Sequence, residues 1–215
     1  MSLPAKICGL NDEAALDAAV AGGAAMVGFV FYPPSPRSVT PARAAELARR
    51  VPATVTKVAL VVDADDLLLA EIVAALDPGL LQLHGREDRW RVDYVRRRFG
   101  RPVMKVVAVA GPEDVARAGR YLDVADRLLF DAKAPETLAK ALPGGNGLVF
   151  DWNLLAGRRW PIPWMLSGGL TPDNVAEAAR MTGAPMVDVS SGVEDRPGVK
   201  NVALIRRFLD ATSKL

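Results

Sequence analysis

Trp164-Met165-Leu166-Ser167-Gly168-Gly169-Leu170-Thr171-Pro172, followed by Met186-Val187-Asp188-Val189-Ser190-Ser191-Gly192-Val193-Glu194, is the stretch on which the fold turns. Each half is a short apolar run that ends abruptly in small polar residues and glycine, the pattern of a buried strand meeting a tight turn. Between them Val175, Ala178 and Met181–Thr182 recur at helical spacing, which gives a helix one inward face. Thr171-Pro172 reads as a hydroxyl N-cap before a proline at the first helical position, and Thr40-Pro41 repeats the device. The unit is strand, glycine turn, helix, strand.

The same alternation extends through the rest of the chain. Strands are expected at about Ala5–Cys8, Met26–Phe31, Thr56–Val62, Leu80–His84, Val103–Val109, Arg127–Asp131, Trp164–Ser167 and Met186–Ser190. Most are continuous apolar runs, as strands covered on both faces should be. Within Asp65–Leu76, the residues Leu68, Ile72 and Ala75 fall on one helical stripe. Eight strand–helix units in 215 residues, with no compositional break, predict a single-domain (β/α)8 TIM barrel over residues 1–215. A doubly wound open sheet is the competing arrangement. The sixth unit is the weakest, because Ala132–Gly147 is a long connection containing Pro135, Pro143 and Gly144-Gly145-Asn146-Gly147. Long loops in compact domains are usually functional.

Composition narrows the function. Lys+Arg number 27 and Asp+Glu 25, so the formal net charge is 27 − 25 = +2, too small for a long-range basic field. Half of the residues are hydrophobic, which excludes a disordered chain. The longest apolar runs, such as Met26–Tyr32 and Val58–Val62, fall well short of the roughly 18 residues of a membrane span. The opening MSLPAKICGL has neither a charged n-region nor a long apolar h-region, so a reducing cytoplasm is the expected setting. The lone Cys8 and the lone His84 make neither an intrachain disulfide nor a cysteine- or histidine-rich zinc site. Metal chemistry would have to rest on carboxylates alone. In Arg86–Arg101 seven arginines face three acids, with Trp90, Tyr94 and Phe99 interleaved. Because Val92, Val95 and Phe99 follow helical spacing, this is read as the solvated side of an outer helix and not as a nucleic-acid surface.

In a parallel αβ barrel the chemistry gathers where the strands end at their carboxyl side. Cys8, Asp63, His84, Asp131, Ser167-Gly168-Gly169 and Asp188–Gly192 all stand there. Adjacent glycines expose main-chain N–H groups, and loops after the last two strands are the recurrent phosphate site of such barrels. A phosphorylated small molecule is therefore the expected partner, bound where the Ser167–Pro172 and Asp188–Glu194 loops meet. Pro33-Pro34-Ser35-Pro36 stiffens the second loop and holds Arg37 over the mouth, a planar fork suited to a carboxylate or a second anion. Lys6, two residues before Cys8, shares its face. An inward lysine needs an anion such as Asp188, and its charge is expected to lower the Cys8 pKa.

The strings Lys6-Ile7-Cys8-Gly9, Gly28-Phe29-Val30-Phe31-Tyr32-Pro33-Pro34-Ser35-Pro36-Arg37, Leu81-Gln82-Leu83-His84-Gly85, Phe130-Asp131-Ala132-Lys133, Phe150-Asp151-Trp152, Ser167-Gly168-Gly169-Leu170 and Asp188–Glu194 stand in this order from Lys6 to about Lys200. In this the sequence resembles the phosphoribosylanthranilate isomerase family, (β/α)8 barrels of tryptophan biosynthesis. The resemblance implies a cofactor-free Amadori rearrangement of N-(5-phosphoribosyl)anthranilate to 1-(o-carboxyphenylamino)-1-deoxyribulose 5-phosphate. It makes Asp131 the general acid that opens the ribose ring and Cys8, as thiolate, the base that removes the C2′ proton. It also places the phosphate on Gly168, Gly169, Ser190, Ser191 and Gly192 and the anthranilate carboxylate near Arg37; His84 and Asp188, at the same strand ends, are expected as further substrate contacts. Two departures stand out. The family's acidic residues six or seven positions past the cysteine are Ala14 and Ala15 here, and its Gly-Gly-Thr-Gly is Gly144-Gly145-Asn146-Gly147. Asparagine tolerates left-handed backbone and keeps donor and acceptor, so the loop is expected to be intact. A pentose-phosphate epimerase would share the phosphate cup, but typically needs a metal and histidines that this sequence lacks. A silent phosphate-binding protein would not need both Cys8 and Asp131. The expected assembly is a monomer or a homodimer.

Overall fold

A computed structural model describes residues 2–134 and 142–215; Pro135 of the sixth connection lies outside them. The strands β1 (Ala5–Cys8), β2 (Met26–Phe31), β3 (Thr56–Val61), β4 (Leu80–Leu83), β5 (Val103–Val109), β6 (Arg127–Ala132), β7 (Trp164–Leu166) and β8 (Val187–Val189) follow the apolar runs to within a residue or so at their ends. They close in sequence order, all pairs parallel, with β1 bonded to both β2 and β8. A barrel, and not an open sheet, is the result. Around it lie α1 (Glu13–Ala21), α2 (Pro41–Ala48), α3 (Asp66–Leu76), α4 (Arg89–Phe99), α5 (Pro112–Arg117), α6 (Val175–Thr182) and α7 (Val202–Ser213). A short antiparallel hairpin, β9 (Glu194–Arg196) and β10 (Val199–Lys200), separates β8 from α7. No described helix is long and apolar enough to cross a membrane.

Alternation along each strand sorts the side chains into two populations. Ile7, Val27, Phe29, Ala59, Leu81, Phe130 and Val187 point outward and join the main core beneath the helices. Met26, Val58, Leu80, Met104, Val106, Leu129 and Met165 point inward and fill the lower barrel with a separate apolar cluster. Above it stand Cys8, Val30 and Leu60. The polar residues of the strand ends therefore sit on an apolar floor.

Five helices start as side-chain chemistry dictates, α7 among them, where Asn201 accepts from Leu204 N–H at 3.0 Å. Asp12, Thr40, Asp65 and Asp88 accept from the main-chain N–H of Ala15, Arg43, Leu68 and Arg91 at 2.9, 3.1, 2.8 and 2.8 Å, contacts worth about 1 kcal/mol each.

Four local expectations are corrected. Thr171 does not cap α6: the Asn174 side chain accepts from Thr171 N–H at 2.8 Å and donates to the Gly169 carbonyl at 3.0 Å. That bracket holds the residues after Leu170 as a turn, and the helix begins at Val175. In α3 the buried stripe is Leu69, Ile72 and Leu76, one position on from the Leu68 and Ala75 expected. In α6 it is Thr182, not Met181, that is buried beside Val175 and Ala178. Among the described residues the sixth connection carries a single 3-10 turn (Trp152–Leu154) where a helix was expected. Trp160 and Trp164 cover the outer face of β6 instead, with ring centroids 4.9 and 5.7 Å from Phe130.

In α4, Val92 and Val95 face the core, while Trp90 and Tyr94 are exposed. Its arginines Arg89, Arg91, Arg96 and Arg97 lie against Asp123, Asp66 and Asp93. One ion pair went unread in the sequence. On the outer face of β5 Lys105, buried, donates to Glu87 at 2.7 Å and to the Gly85 carbonyl at 2.7 Å. Glu87 in turn accepts from the N–H groups of Asp63 and Gly85, both at 2.9 Å. The pair fixes the loop that follows His84.

Candidate active site

The carboxyl ends of the strands surround a cavity lined by Cys8, Arg37, His84, Asp131, Gly169 and Ser190 among others. Cys8 ends β1 and Asp131 lies near the end of β6, three strand steps away around the closed ring. Both side chains are inward and almost fully buried.

Lys6, with no exposed surface, donates to Asp188 Oδ1 at 2.8 Å, and Ser167 Oγ donates to the other carboxylate oxygen at 3.3 Å. Burial works against the Lys6 charge, but the adjacent Asp188 carboxylate overrides it and holds the ammonium above its ordinary value. Burial pushes the Cys8 thiol up from its ordinary value; Lys6 pulls it back toward the thiolate, and Asp188 adds to the rise. Lys6 thus acts on Cys8 with the sign expected, yet the net direction is upward because desolvation is larger. Lys6→Met is expected to raise the midpoint of pH-dependent alkylation of Cys8, because the larger of the two charges that favour the thiolate, Lys6 over Lys200, is lost while burial and Asp188 remain. Iodoacetamide rates across pH measure this; an unchanged or lower midpoint contradicts it.

Asp131 accepts from Ala132 N–H through Oδ1 at 2.9 Å. Its Oδ2 lies 3.3 Å from His84 Nε2, without the alignment of a hydrogen bond. His84 Nδ1 meets Gln82 Nε2 at 3.2 Å, so Gln82, fully buried on β4, orients the ring. Gln82 was not among the expected site residues, although a glutamine two positions before His84 inside an apolar strand marks the same inward face. Gly144 lies against this group: a Cβ there would fall 2.5 Å from His84 Cε1 and 2.6 Å from Asp131 Oδ2. The Gly144–Gly147 stretch is therefore part of the site, at Asp131 and at Arg37.

Gly168 and Gly169 have φ of +90° and +63°, conformations that an L side chain rarely adopts. Gly192 packs so tightly on the Leu170 carbonyl that a Cβ has no room. Among the described residues, none accepts from the N–H groups of Gly169, Ser191 or Gly192. The two loops thus meet and leave main-chain donors free, the makings of an anion cup. The helix-terminus contribution expected at the first loop is not realised, since α6 is set back to Val175.

Arg37 is where sequence and structure differ most. It does not stand free over the mouth: it is 4% exposed, and its Nε and Nη2 donate to Glu194 Oε1 and Oε2, both at 2.8 Å. Nη2 also donates to the Gly145 carbonyl at 3.0 Å. Lys200 donates to the same Glu194 Oε1 at 2.8 Å. Burial presses the Glu194 carboxyl upward, but Arg37 and Lys200 together hold it below its ordinary value. Burial pushes Lys200 down.

A closed parallel barrel whose mouth is lined by the Cys8 thiol and the Asp131 carboxyl, beside two glycine loops with free main-chain N–H groups, has the layout of an enzyme of the (β/α)8 class. Residues 5–211 match the family model of N-(5′-phosphoribosyl)anthranilate (PRA) isomerase. The N-(5′-phosphoribosyl)anthranilate isomerase of Rhodospirillum centenum is 58% identical over 215 residues, covering 100% of both chains. The crystal structure of phosphoribosyl anthranilate isomerase from Thermotoga maritima superposes with a TM-score of 0.86 at 32% identity, covering 99% of this chain and 100% of that one. Another, of a phosphoribosyl anthranilate isomerase in complex with reduced 1-(o-carboxyphenylamino)-1-deoxyribulose 5-phosphate, has a TM-score of 0.85 at 31% identity, with 99% and 100% covered. The chain belongs to the N-(5′-phosphoribosyl)anthranilate isomerase family.

Proposed function

We propose that this barrel performs the family's isomerisation, the phosphoribosylanthranilate step of tryptophan biosynthesis, by acid–base catalysis across its mouth. Asp131 donates a proton to the ribose ring oxygen as the C1′–O bond breaks, leaving a protonated imine at C1′. Cys8, as thiolate, takes the C2′ proton, and the electron pair moves to give an enolamine. Proton transfer to C1′ then yields the 2′-ketone. Atoms and electrons balance within the substrate, and the two enzyme groups are reset by exchange with solvent. The observation that carries the reading is the placement of Cys8 and Asp131 at the ends of β1 and β6, both lining the cavity that the β7 and β8 loops close.

The free donors of Gly169, Ser191 and Gly192 suit the phosphate, Gly168 shapes the turn, and Ser190 ties the second loop to β1 through its bond to the Cys8 carbonyl at 3.1 Å. Asp188 serves by holding Lys6, and His84 by facing Asp131. Among the described residues Arg37 Nη1 is the guanidinium nitrogen without a partner, which leaves it for the anthranilate carboxylate. Loss of anthranilate-adduct fluorescence on adding the protein tests the activity directly; no change over the uncatalysed rate rejects it. Arg37→Ala is expected to weaken binding of a carboxyphenylamino phosphosugar at least about tenfold more than that of a plain phosphosugar. Equal losses, measured by calorimetry, contradict the role of Arg37.

A further inference from the structure

The side chains that surround Arg37 form a continuous chain of contacts between two parts of the pocket. Glu194 grips the Arg37 fork with both oxygens, at 2.8 Å each. Lys200 Nζ donates to Glu194 Oε1 at 2.8 Å, to the Ser190 carbonyl at 2.9 Å and to Ser190 Oγ at 3.2 Å. Ser190 Oγ donates to the Cys8 carbonyl at 3.1 Å. Gly198 N–H donates to Glu194 Oε2 at 3.3 Å, and Gly198 itself presses on the Pro36 carbonyl, so that a Cβ there would fall 2.5 Å away. The β9–β10 hairpin is thereby wedged between the proline loop and the loop after β8. All three charged side chains are at most 5% exposed.

We propose that Glu194 is a positioning residue that sets specificity for the substrate carboxylate, and that it does so by clamping Arg37 against the Lys200–Ser190 contact. A guanidinium on a flexible side chain has many poses. Held through Nε and Nη2 it keeps one, with Nη1 as the remaining donor, at a fixed offset from the loop that carries the phosphate donors. Two anionic groups on one rigid ligand can be read together only if their two receivers keep that offset, since misplacement by about 1 Å is enough to cost orders of magnitude. Glu194 also neutralises one of two neighbouring buried cations, so that the pocket does not become a general anion trap.

The inference rests on the functional reading above, and the test separates the two. The probes are reduced 1-(o-carboxyphenylamino)-1-deoxyribulose 5-phosphate and its counterpart without the carboxylate, each titrated by calorimetry. The parent protein is expected to prefer the carboxylated ligand. In Glu194→Gln that preference is expected to fall at least about tenfold, with KM for the substrate rising more than kcat falls. Glu194→Asp keeps the buried charges balanced, and so the fold, but is one methylene short of spanning both guanidinium nitrogens. Its preference is expected to fall as well. A parent that treats both ligands alike and shows no isomerase activity overturns the functional reading. A discriminating parent whose two variants discriminate equally well overturns the role of Glu194 alone. So does an Asp variant that restores the parent ratio, because charge and not geometry would then suffice, and so does a preference that increases, because Glu194 would then compete with the ligand.

Discussion

Replacing Asp131 by asparagine is expected to lower turnover by about 10³-fold or more while the carboxyphenylamino phosphosugar still binds within a few-fold of the parent. The amide has the size of the carboxyl and can still accept from Ala132 N–H, the bond now made at 2.9 Å. What it lacks is a proton that can be given up to the ribose ring oxygen, and general acid catalysis is worth roughly 10²–10⁴-fold. Ring opening precedes every later step, so no other group can recover the loss. Fluorescence-monitored turnover set against calorimetric affinity separates the two quantities. Activity within tenfold of the parent rejects Asp131 as the acid, and a matched collapse of binding shows a role in holding the pocket instead.

Cys8→Ala is expected to be nearly as severe, a fall in kcat of about 10²–10⁴-fold, by a different route. The acid is untouched and the ring can open, but no base faces C2′. The substitution removes only one buried sulfur, so the melting temperature should move by a few degrees at most. The pH profile supplies an independent check. Because burial, set against Lys6, holds the thiol above its ordinary value, the thiolate fraction in the free protein grows with pH through a midpoint higher than the roughly 8.5 of a free cysteine. The parent's kcat/KM, which reports the free enzyme, should therefore climb with pH beyond that point, and the climb should vanish in the alanine variant. A climb that persists without Cys8 assigns the base elsewhere.

The barrel and most of its mouth were legible in the sequence because strand parity is a strict rule. Once the strands are placed, Cys8, His84, Asp131 and Asp188 must share the inside, two residues or a multiple of two from Lys6, Gln82, Leu129 and Ser190. Side chains whose meaning depends on distant partners were not legible. Arg37 looks like an arginine propped up by prolines until Glu194, 157 positions away, is found in its fork. Lys105 sits in a run that is otherwise apolar, and only the return of Glu87 beneath it explains a charge there. The late start of α6 has a similar cause, since Asn174 outcompetes Thr171 for the turn through a contact with Gly169 that no local propensity encodes.

The inward methionines and leucines at the bottom of the barrel make the reaction chamber blind-ended. Among the described residues the doorway for water, protons and sugar lies at the carboxyl ends of the strands, and product departs on the side at which its precursor arrived. The Gly144–Gly147 stretch lies against that doorway, with Gly145 on Arg37 and Gly144 on Asp131. Traffic and chemistry consequently share the same few side chains, and a change that widens the passage also loosens the groups that do the work.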